Sequence, residues 1–143
     1  MTDLKVLNFF RVSFRKVKHI DPKACYWTPP NHNELLLCTD SASRGNPGVA
    51  GAGVVAWNAN SEVVGAMCIG LGITSNFLAE LYGILVGLEW ATQWGYMKIL
   101  IHSDSSSVIT VLENDSVPWF AQQRWMDIKN FYDSIRFAHT FRE

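Results

Sequence analysis

Cysteine is too scarce and too scattered in this sequence to provide a disulfide framework. The three cysteines, Cys25, Cys38 and Cys68, are odd in number and lack the close spacing of metal ligands. This pattern argues against a disulfide scaffold and against a zinc site. It favours a reducing compartment, so we expect an intracellular protein of the cytoplasm or the nucleus.

Long apolar runs and a signal peptide are also missing. No apolar run approaches the roughly 20 residues that a membrane-spanning helix needs, and charged or polar residues interrupt the start of the chain at Asp3, Lys5, Asn8 and Arg11. The net charge is only −1, so any binding of nucleic acid depends on a local patch of the surface. We therefore expect a soluble protein that does not bind membranes.

Two familiar catalytic patterns are absent from the sequence. The glycines between Gly45 and Gly53 are not followed by the Gly-Lys-Ser/Thr of a phosphate-binding loop. The serines at positions 105–107 gather where a helix is predicted to begin, so helix capping accounts for them without a catalytic triad. His139 is interpreted as a strand residue, and no small-molecule cofactor is expected.

The apolar sequence that is present suffices for one domain. The chain has 143 residues, 48% of them hydrophobic, and we divide it into a basic N-terminal extension and linker (1–32) and a domain (33–143). The extension carries apolar residues at helical spacing among lysines and arginines. Two interpretations remain open: a basic amphipathic helix for a membrane surface or an acidic partner, or an extension that packs on the domain.

Hydrophobic periodicity predicts the element order βββαβααβ. The predicted strands are 34–40, 50–58, 62–70, 98–104 and 136–143, and the predicted helices run from 74 or 75 to 95, over 105–114 and over 119–135. Short turns make the first three strands antiparallel, whereas a strand-helix-strand connection makes a parallel pair. The pattern therefore predicts an α/β fold with a mixed sheet and helices on its faces.

Three acids occur at positions where side chains are expected to converge. Asp40 and Asp104 each end a predicted strand, and they lie side by side if those strands are neighbours. Glu80 lies one turn into the long helix, and Gly83 and Gly87 share its side of that helix. Close packing of those glycines on the sheet would aim Glu80 at the strand ends. Taken singly, Asp40 also fits a turn cap, and Glu80 fits a solvent-facing acid of a first helical turn.

Converging carboxylates predict a divalent cation. Such groups repel one another unless their pKa values rise or cations bind them. Their hard oxygen ligands suit Mg²⁺ or Mn²⁺, and two such ions about 4 Å apart support hydrolysis of a phosphodiester.

Three segments in order identify a family resemblance. The segments TDSASRGNPGVAGAGVV, TSNFLAELYGILVGLEWA and KILIHSDSSSVITVL resemble the ribonuclease H type 1 domain, and more narrowly its plant, retroelement-derived (reverse-transcriptase-like) subgroup. The resemblance covers about residues 27–143. It implies a five-stranded sheet in the order 3-2-1-4-5, antiparallel over 3-2-1 and parallel over 4-5. It also implies metal-dependent hydrolysis of the RNA strand in RNA–DNA hybrids.

The same resemblance implies roles for individual residues. Asp40, Glu80 and Asp104 match the catalytic carboxylates that hold Mg²⁺, or Mn²⁺, in the family. Contacts with nucleic acid are implied for two short segments, namely Ser43, Arg44, Gly45 and Asn46 in the loop and Ser75 and Asn76 at the helix start. Recognition of a hybrid through its backbone and 2′-hydroxyls fits such groups.

Two features depart from the family pattern. Ser41 stands where glycine is usual, beside Asp40. The family's fourth carboxylate would follow Arg142 and Glu143, so we expect a C-terminally truncated site that holds one metal better than two and is weakly active or inactive. Without the covering C-terminal helix of the family, exposed apolar sheet surface is expected to reduce stability or to drive association of an otherwise monomeric protein. The alternative function is a non-catalytic nucleic-acid or protein-binding module, or an inactive relic.

An aromatic and basic segment near the end of the chain has two interpretations. Trp119, Trp125 and Phe131, with Arg124 and Lys129, fit a clamp that stacks on a DNA strand. Their helical spacing equally fits packing in the core.

Overall fold

The computed structural model of the protein describes residues 30–139. The strands are β1 (Glu34–Gly45), β2 (Gly48–Trp57), β3 (Val63–Thr74), β4 (Lys98–Ser103) and β5 (Ser134–His139). The helices are α1 (Asn76–Ala91), α2 (Ser106–Glu113) and α3 (Trp119–Phe131), and a short 3₁₀ turn, Thr92–Trp94, follows α1. The predicted helix of the extension and the last four residues of the final predicted strand lie outside the described residues.

The five strands form one sheet in the order β3-β2-β1-β4-β5, which confirms the predicted topology. β1 pairs with β2, and β2 with β3, in the antiparallel sense, whereas β1 pairs with β4, and β4 with β5, in parallel. In the parallel pair Cys38 lies opposite His102. Asp40 and Asp104 each lie two residues further along the chain. The strand order therefore places these two acids at neighbouring positions, where β4 ends.

The first two strands extend further than the sequence pattern predicts. Residues 41–45 were expected to form a loop, but they continue β1 and pair in register with β2 up to Gly45 opposite Gly48. The connection is a tight turn through Asn46 and Pro47, whose peptide bond is cis. Gly48 has no room for a side chain, since an added Cβ would lie 2.0 Å from the Arg44 carbonyl oxygen. A small-residue strand was thus mistaken for a loop, because its glycines and serines read as turn formers.

The last helix is shorter than predicted. It ends at Phe131 rather than at residue 135, because Tyr132 adopts an extended conformation and the chain enters β5. The Tyr132 hydroxyl donates a hydrogen bond to the Leu88 carbonyl at 2.6 Å, and burial raises the pKa of this tyrosine to about 12. The side chain therefore joins the end of α3 to α1.

One face of the sheet carries the three described helices. Alternate residues of the central strands, including Leu35 and Leu37 of β1, form one buried cluster with side chains of α1, α2 and α3. Gly83 and Gly87 allow α1 to approach closely, since a Cβ on Gly83 would lie 2.8 Å from the Ala52 Cβ. The predicted contact between the glycine side of this helix and the sheet is confirmed.

The middle of the opposite face of the sheet is also buried, and this corrects the expectation of exposed apolar surface there. Leu36, Val55 and Leu100 are at most 1% exposed. They pack in a second cluster with the broad indole of Trp57, and Cys38 and Ala138 lie against it. This cluster thus draws on side chains of β1, β2, β4 and β5. Within residues 30–139, none of the helices combines the length and the apolar character that crossing a membrane requires.

An ion pair joins the two halves of the sheet. The Glu34 carboxylate at the start of β1 accepts hydrogen bonds from Arg136 of β5 at 2.6 and 2.8 Å. Burial raises the pKa of Glu34, but the hydrogen bonds from Arg136 and from the Asn31 backbone N–H, together with the charges of Arg136 and Lys98, outweigh it and lower the pKa below 4.5. The pair spans β4, which lies between its two strands.

We expect this pair to contribute to the acid sensitivity of the fold. Because the pKa of Glu34 is lower in the folded state than in the unfolded chain, its stabilisation is present above the unfolded value and is lost as pH falls through the folded value. The free energy of unfolding of the wild type should therefore fall as pH drops below about 4.5. Glu34→Gln combined with Arg136→Met should flatten this dependence in denaturant titrations, whereas an unchanged pH profile would contradict the assignment.

Arg136→Met alone provides the matched control. It leaves a buried carboxylate without its partner, and we expect a loss of about 2 kcal/mol at pH 7, below the range for fully buried pairs because the Arg136 side chain is 39% exposed.

Candidate active site

A cleft of about 620 Å³ opens where β1, β4 and the first turns of α1 and α2 meet. Glu80 and Asp104 both line it, as do four of the residues predicted to contact nucleic acid, namely Ser43, Gly45, Asn46 and Asn76. The other lining residues are Ser41, Ala42, Phe77, Ser105 and Ser107. The structure therefore brings two of the three predicted acids together with most of the predicted rim.

Glu80 is the buried carboxylate of this cleft, and hydroxyl groups surround it. Glu80 is 3% exposed. Oε1 accepts hydrogen bonds from the Ser103 hydroxyl at 2.8 Å and from the Thr39 hydroxyl at 3.1 Å, and Oε2 accepts one from the Ser41 hydroxyl at 2.6 Å. Hydrogen bonds to a charged acceptor are short and strong, so these groups offset the cost of burying the charge.

The position of Glu80 follows from the elements that carry its partners. Ser75 caps α1, its side chain accepting from the Leu78 N–H at 3.2 Å, so that the helix begins at the edge of the sheet. Glu80 then lies just over one turn into the helix, above Thr39 of β1 and Ser103 at the end of β4. The hypothesis of a solvent-facing Glu80 is wrong, because the close approach of α1 to the sheet buries this side chain.

Asp104 follows the last residue of β4 and precedes the first turn of α2. The Ser103 hydroxyl, besides donating to Glu80, accepts from the Ser105 N–H at 3.1 Å, and Ser105 caps α2. His139 at the end of β5 contacts the Asp104 carbonyl oxygen through Nε2 at 3.0 Å. Asp104 therefore lies between the ends of β4 and β5 and the start of α2, and it is half-buried.

Asp40 lies on β1 between two residues whose side chains reach Glu80. Because side chains alternate along a strand, Thr39 and Ser41 face α1 and Asp40 belongs to the opposite side, with Leu36 and Cys38. Asp40 is half-buried and is not among the residues that line the cleft. The expectation that it merely caps a turn is wrong, since β1 continues past it to Gly45.

The turn between β1 and β2 is joined to the start of α1. The Asn76 backbone N–H donates to Asn46 Oδ1 at 3.1 Å, and the Ser43 hydroxyl contacts Asn76 Oδ1 and donates to the Gly45 carbonyl at 2.6 Å. These contacts turn two distant segments into one polar rim above Glu80. Arg44 is exposed on the same turn but does not line the cleft, and Ser75 serves as the cap of α1.

The aromatic segment of α3 is divided between core and surface. Trp125 is 3% exposed and donates its indole N–H to Asp115 at 2.9 Å. Lys129 pairs with the same carboxylate at 2.7 Å. Trp119 and Phe131 are exposed, at 83% and 42%.

The remaining cation of this segment also has a partner. Arg124 binds the Glu89 carboxylate of α1, with its Nε at 2.8 Å. Core packing thus accounts for Trp125, and both basic side chains are engaged by acids rather than aligned with the exposed rings.

The donors of the cleft fit a divalent cation in their chemistry. Carboxylate oxygens of Glu80 and Asp104 are hard ligands of the kind that Mg²⁺ and Mn²⁺ prefer. None of the described residues that line the cleft is a lysine or an arginine, so hydroxyl groups meet the charge of Glu80. Among residues 30–139, however, no three side chains of Asp, Glu, His or Cys stand close enough together to hold a metal ion. The cleft therefore has suitable ligands without a closed cage.

Known structures share this architecture. The ribonuclease H1 of the halophilic archaeon Halobacterium salinarum superposes with a TM-score of 0.69 at 25% identity, over 76% of this chain and 86% of that one. LC11-RNase H1, solved in complex with an RNA/DNA hybrid, superposes with a TM-score of 0.67 at 23% identity, over 76% of this chain and 86% of its own. The sheet order, the helices on one face and the acidic cleft together define a domain of ribonuclease H type.

The sequence places the chain more closely. Residues 38–143 match the family model described as reverse transcriptase-like, and the chain belongs to that family. It is 30% identical over 129 residues to an Arabidopsis thaliana protein named "Putative ribonuclease H protein", an alignment that covers 82% of this chain. The chain spans only about a fifth of that relative, since the alignment covers 20% of its length.

Sequence reasoning missed the hydroxyl groups that hold Glu80. Thr39, Ser41 and Ser103 each stand next to a predicted acid, and two of them share the strand parity that faces the helix. The alternation of side chains along the strand would have placed Thr39 and Ser41 on the face toward the helix. It could not be used because the strand was predicted to end at Asp40, and a loop has no fixed alternation of side chains.

We expect Gly83 to be needed for the approach of Glu80 to the strand ends. Gly83→Ala would gain about 1 kcal/mol in helix propensity, but its methyl would meet the Ala52 Cβ at 2.8 Å, and overpacking costs about 1–3 kcal/mol. The variant should be less stable than the wild type in urea titrations. Gly87→Ala is the matched control, since it meets the Val54 methyl groups at 3.2–3.3 Å and should be tolerated better. A stabilised Gly83→Ala protein would contradict the close contact.

Proposed function

We propose that this domain hydrolyses the RNA strand of RNA–DNA hybrids in a reaction that depends on Mg²⁺ or Mn²⁺, with Asp40, Glu80 and Asp104 as the metal-holding carboxylates. The observation that carries the proposal is the cleft itself. Glu80 from α1 and Asp104 from the end of β4 line one cleft, beside the turn that Asn46 and Asn76 join. Membership of the reverse transcriptase-like family supports the same activity.

The chain's own groups divide the work in this proposal. Glu80 is fixed by hydroxyl donors and needs no rearrangement of the helix to present an oxygen to the cleft. Asp104 comes from the neighbouring strand end. Asp40 is proposed as the third ligand from its match to the family's carboxylate, since it does not line the cleft itself. A bound divalent cation would activate a water molecule and neutralise charge on the scissile phosphate. Preorganised carboxylates of this kind lower the cost of assembling the site.

The polar rim suits a hybrid duplex. Asn46 and Asn76 offer amide groups, and Ser43 offers a hydroxyl, at the mouth of the cleft. Such neutral donors and acceptors match 2′-hydroxyls and sugar-phosphate groups rather than base edges. A net charge of −1 means that binding depends on this local arrangement and on Arg44 at the turn. LC11-RNase H1, which shares the fold, binds an RNA/DNA hybrid in its solved structure.

A second function has its own supporting observation. The carboxylate of Glu80 is satisfied by hydroxyl groups of the protein, and no closed metal cage is formed by residues 30–139. A domain that keeps the rim but does not hold the cation firmly would bind hybrids without cutting them. This is the non-catalytic module, and it predicts binding without metal-dependent cleavage.

Cleavage of an end-labelled hybrid separates the two functions. The full chain should cut the RNA strand with Mg²⁺ or Mn²⁺, and Asp40→Asn, Glu80→Gln and Asp104→Asn should each reduce the rate by about 100-fold or more, because each removes a metal-holding group. Asp127→Asn is the matched control, since this acid is exposed on α3, away from the cleft. Gel analysis of product lengths and a parallel binding titration give the two readouts. Hybrid binding without cleavage by either ion would contradict the enzyme and support the binding module.

A further inference from the structure

The two oxygens of the Glu80 carboxylate have different surroundings. Oε1 bonds to Thr39 and Ser103, which are 9% and 1% exposed and do not line the cleft. Oε2 bonds to Ser41, which does line the cleft. Oε2 is therefore the oxygen on the open side, the one from which a ligand in the cleft can be reached.

The hydroxyl of Ser41 stands on that open side. At 2.6 Å its bond to Oε2 is the shortest of those made to Glu80, as expected for an O–H donor and a charged acceptor. A donated hydrogen presents positive charge to the carboxylate oxygen at the place where a cation would otherwise approach. The Ser41 hydroxyl of β1 thus supplies the positive end of a dipole, which offsets part of the negative charge of Glu80 when no cation is present.

We infer that Ser41 is a positioning residue that weakens the divalent-cation affinity of this cleft by donating a hydrogen bond to the cleft-side oxygen of Glu80. The inference rests on the proposed metal site. Oε2 has a second lone pair, so a cation can share this oxygen with the Ser41 hydroxyl. The donated hydrogen nevertheless offsets part of the carboxylate charge that a cation would otherwise meet, so Oε2 attracts the cation less strongly while Ser41 donates to it.

The neighbouring hydroxyl groups do not have this role. Thr39 also contacts the His102 carbonyl at 3.2 Å, and Ser103 also accepts from the Ser105 N–H, so both belong to the internal structure of the strand ends. Their bonds to Oε1 hold the carboxylate in place from the buried side and leave Oε2 available. Among residues 30–139, Ser41 alone combines a bond to Glu80 with a place in the lining of the cleft.

The inference makes opposite predictions for the protein with and without metal. Removal of the Ser41 hydroxyl withdraws one donor from a buried carboxylate, so the metal-free Tm should fall by a few degrees. The same change removes the competing positive dipole from Oε2, so Mn²⁺ binding should tighten by about tenfold, the equivalent of one charge-assisted hydrogen bond. The rise in Tm at a fixed excess of Mn²⁺ should accordingly be larger than in the wild type.

The experiment measures Mn²⁺ binding by calorimetry and Tm with and without Mn²⁺, using the full chain. Ser41→Ala and Ser41→Gly should both bind about tenfold more tightly than the wild type, and Ser41→Thr, which keeps a hydroxyl, should not. Ser107→Ala is the matched control, because this serine also lines the cleft but its hydroxyl contacts Ser105. Should Ser41→Ala fail to fold, as judged by circular dichroism, Ser41→Gly carries the test.

Two contrary results have different meanings. Equal or weaker Mn²⁺ binding by both Ser41 variants, with binding still lost in Glu80→Gln, would overturn the role of Ser41 and leave the proposed metal site intact. Mn²⁺ binding that is the same in Glu80→Gln as in the wild type would show that Glu80 is not a metal ligand, and it would overturn the proposed site and the role of Ser41 together.

Discussion

The buried carboxylate of Glu80 is the constraint on which the rest of this structure depends. A charge that is 3% exposed must be met by donors or by a cation. Here the donors come from β1 and β4. The hydrogen bonds therefore form only when β1 and β4 pair in the observed register and α1 packs at the observed position on them. Gly83 allows the helix to come close enough, and the Ser75 cap sets where it begins. The contacts that hold Glu80 thereby also form the cleft.

The features of the fold that could be predicted were those carried by periodicity and by short connections. The antiparallel first three strands and the parallel pair around α1 follow from turn-rich links and one strand-helix-strand unit, and the observed order agrees. The extension of β1 through Ser41–Gly45 could not be predicted. Its residues are small and turn-forming, and only pairing with β2 makes them a strand. The buried cluster on the second sheet face was missed as well, because the contact of Leu36 and Leu100 with Trp57 joins residues of β1, β4 and β2 that are far apart in the sequence.

The site was predictable to a similar extent. The positions of Glu80 and Asp104 followed from a helix face and a strand end, and the structure places both in one cleft. The role of Asp40 stays a prediction, because strand alternation sets it apart from the residues that face α1. The hydroxyl partners of Glu80 were not predicted, since their significance depends on a strand continuing past Asp40. A resemblance in sequence identified the acids, and only the side-chain contacts show how one of them is satisfied.

The central claim is that Glu80 and Asp104 hold a divalent cation in the cleft beside the turn of Asn46. Crystals of the protein soaked in MnCl₂ and measured at the manganese absorption edge test it most directly, because the anomalous signal locates the ion without assuming its ligands. The account predicts a peak in the cleft at about 2 Å from carboxylate oxygens of Glu80 and Asp104. A cleft without a peak in crystals that bind manganese elsewhere, or a peak that Glu80 does not contact, would contradict it.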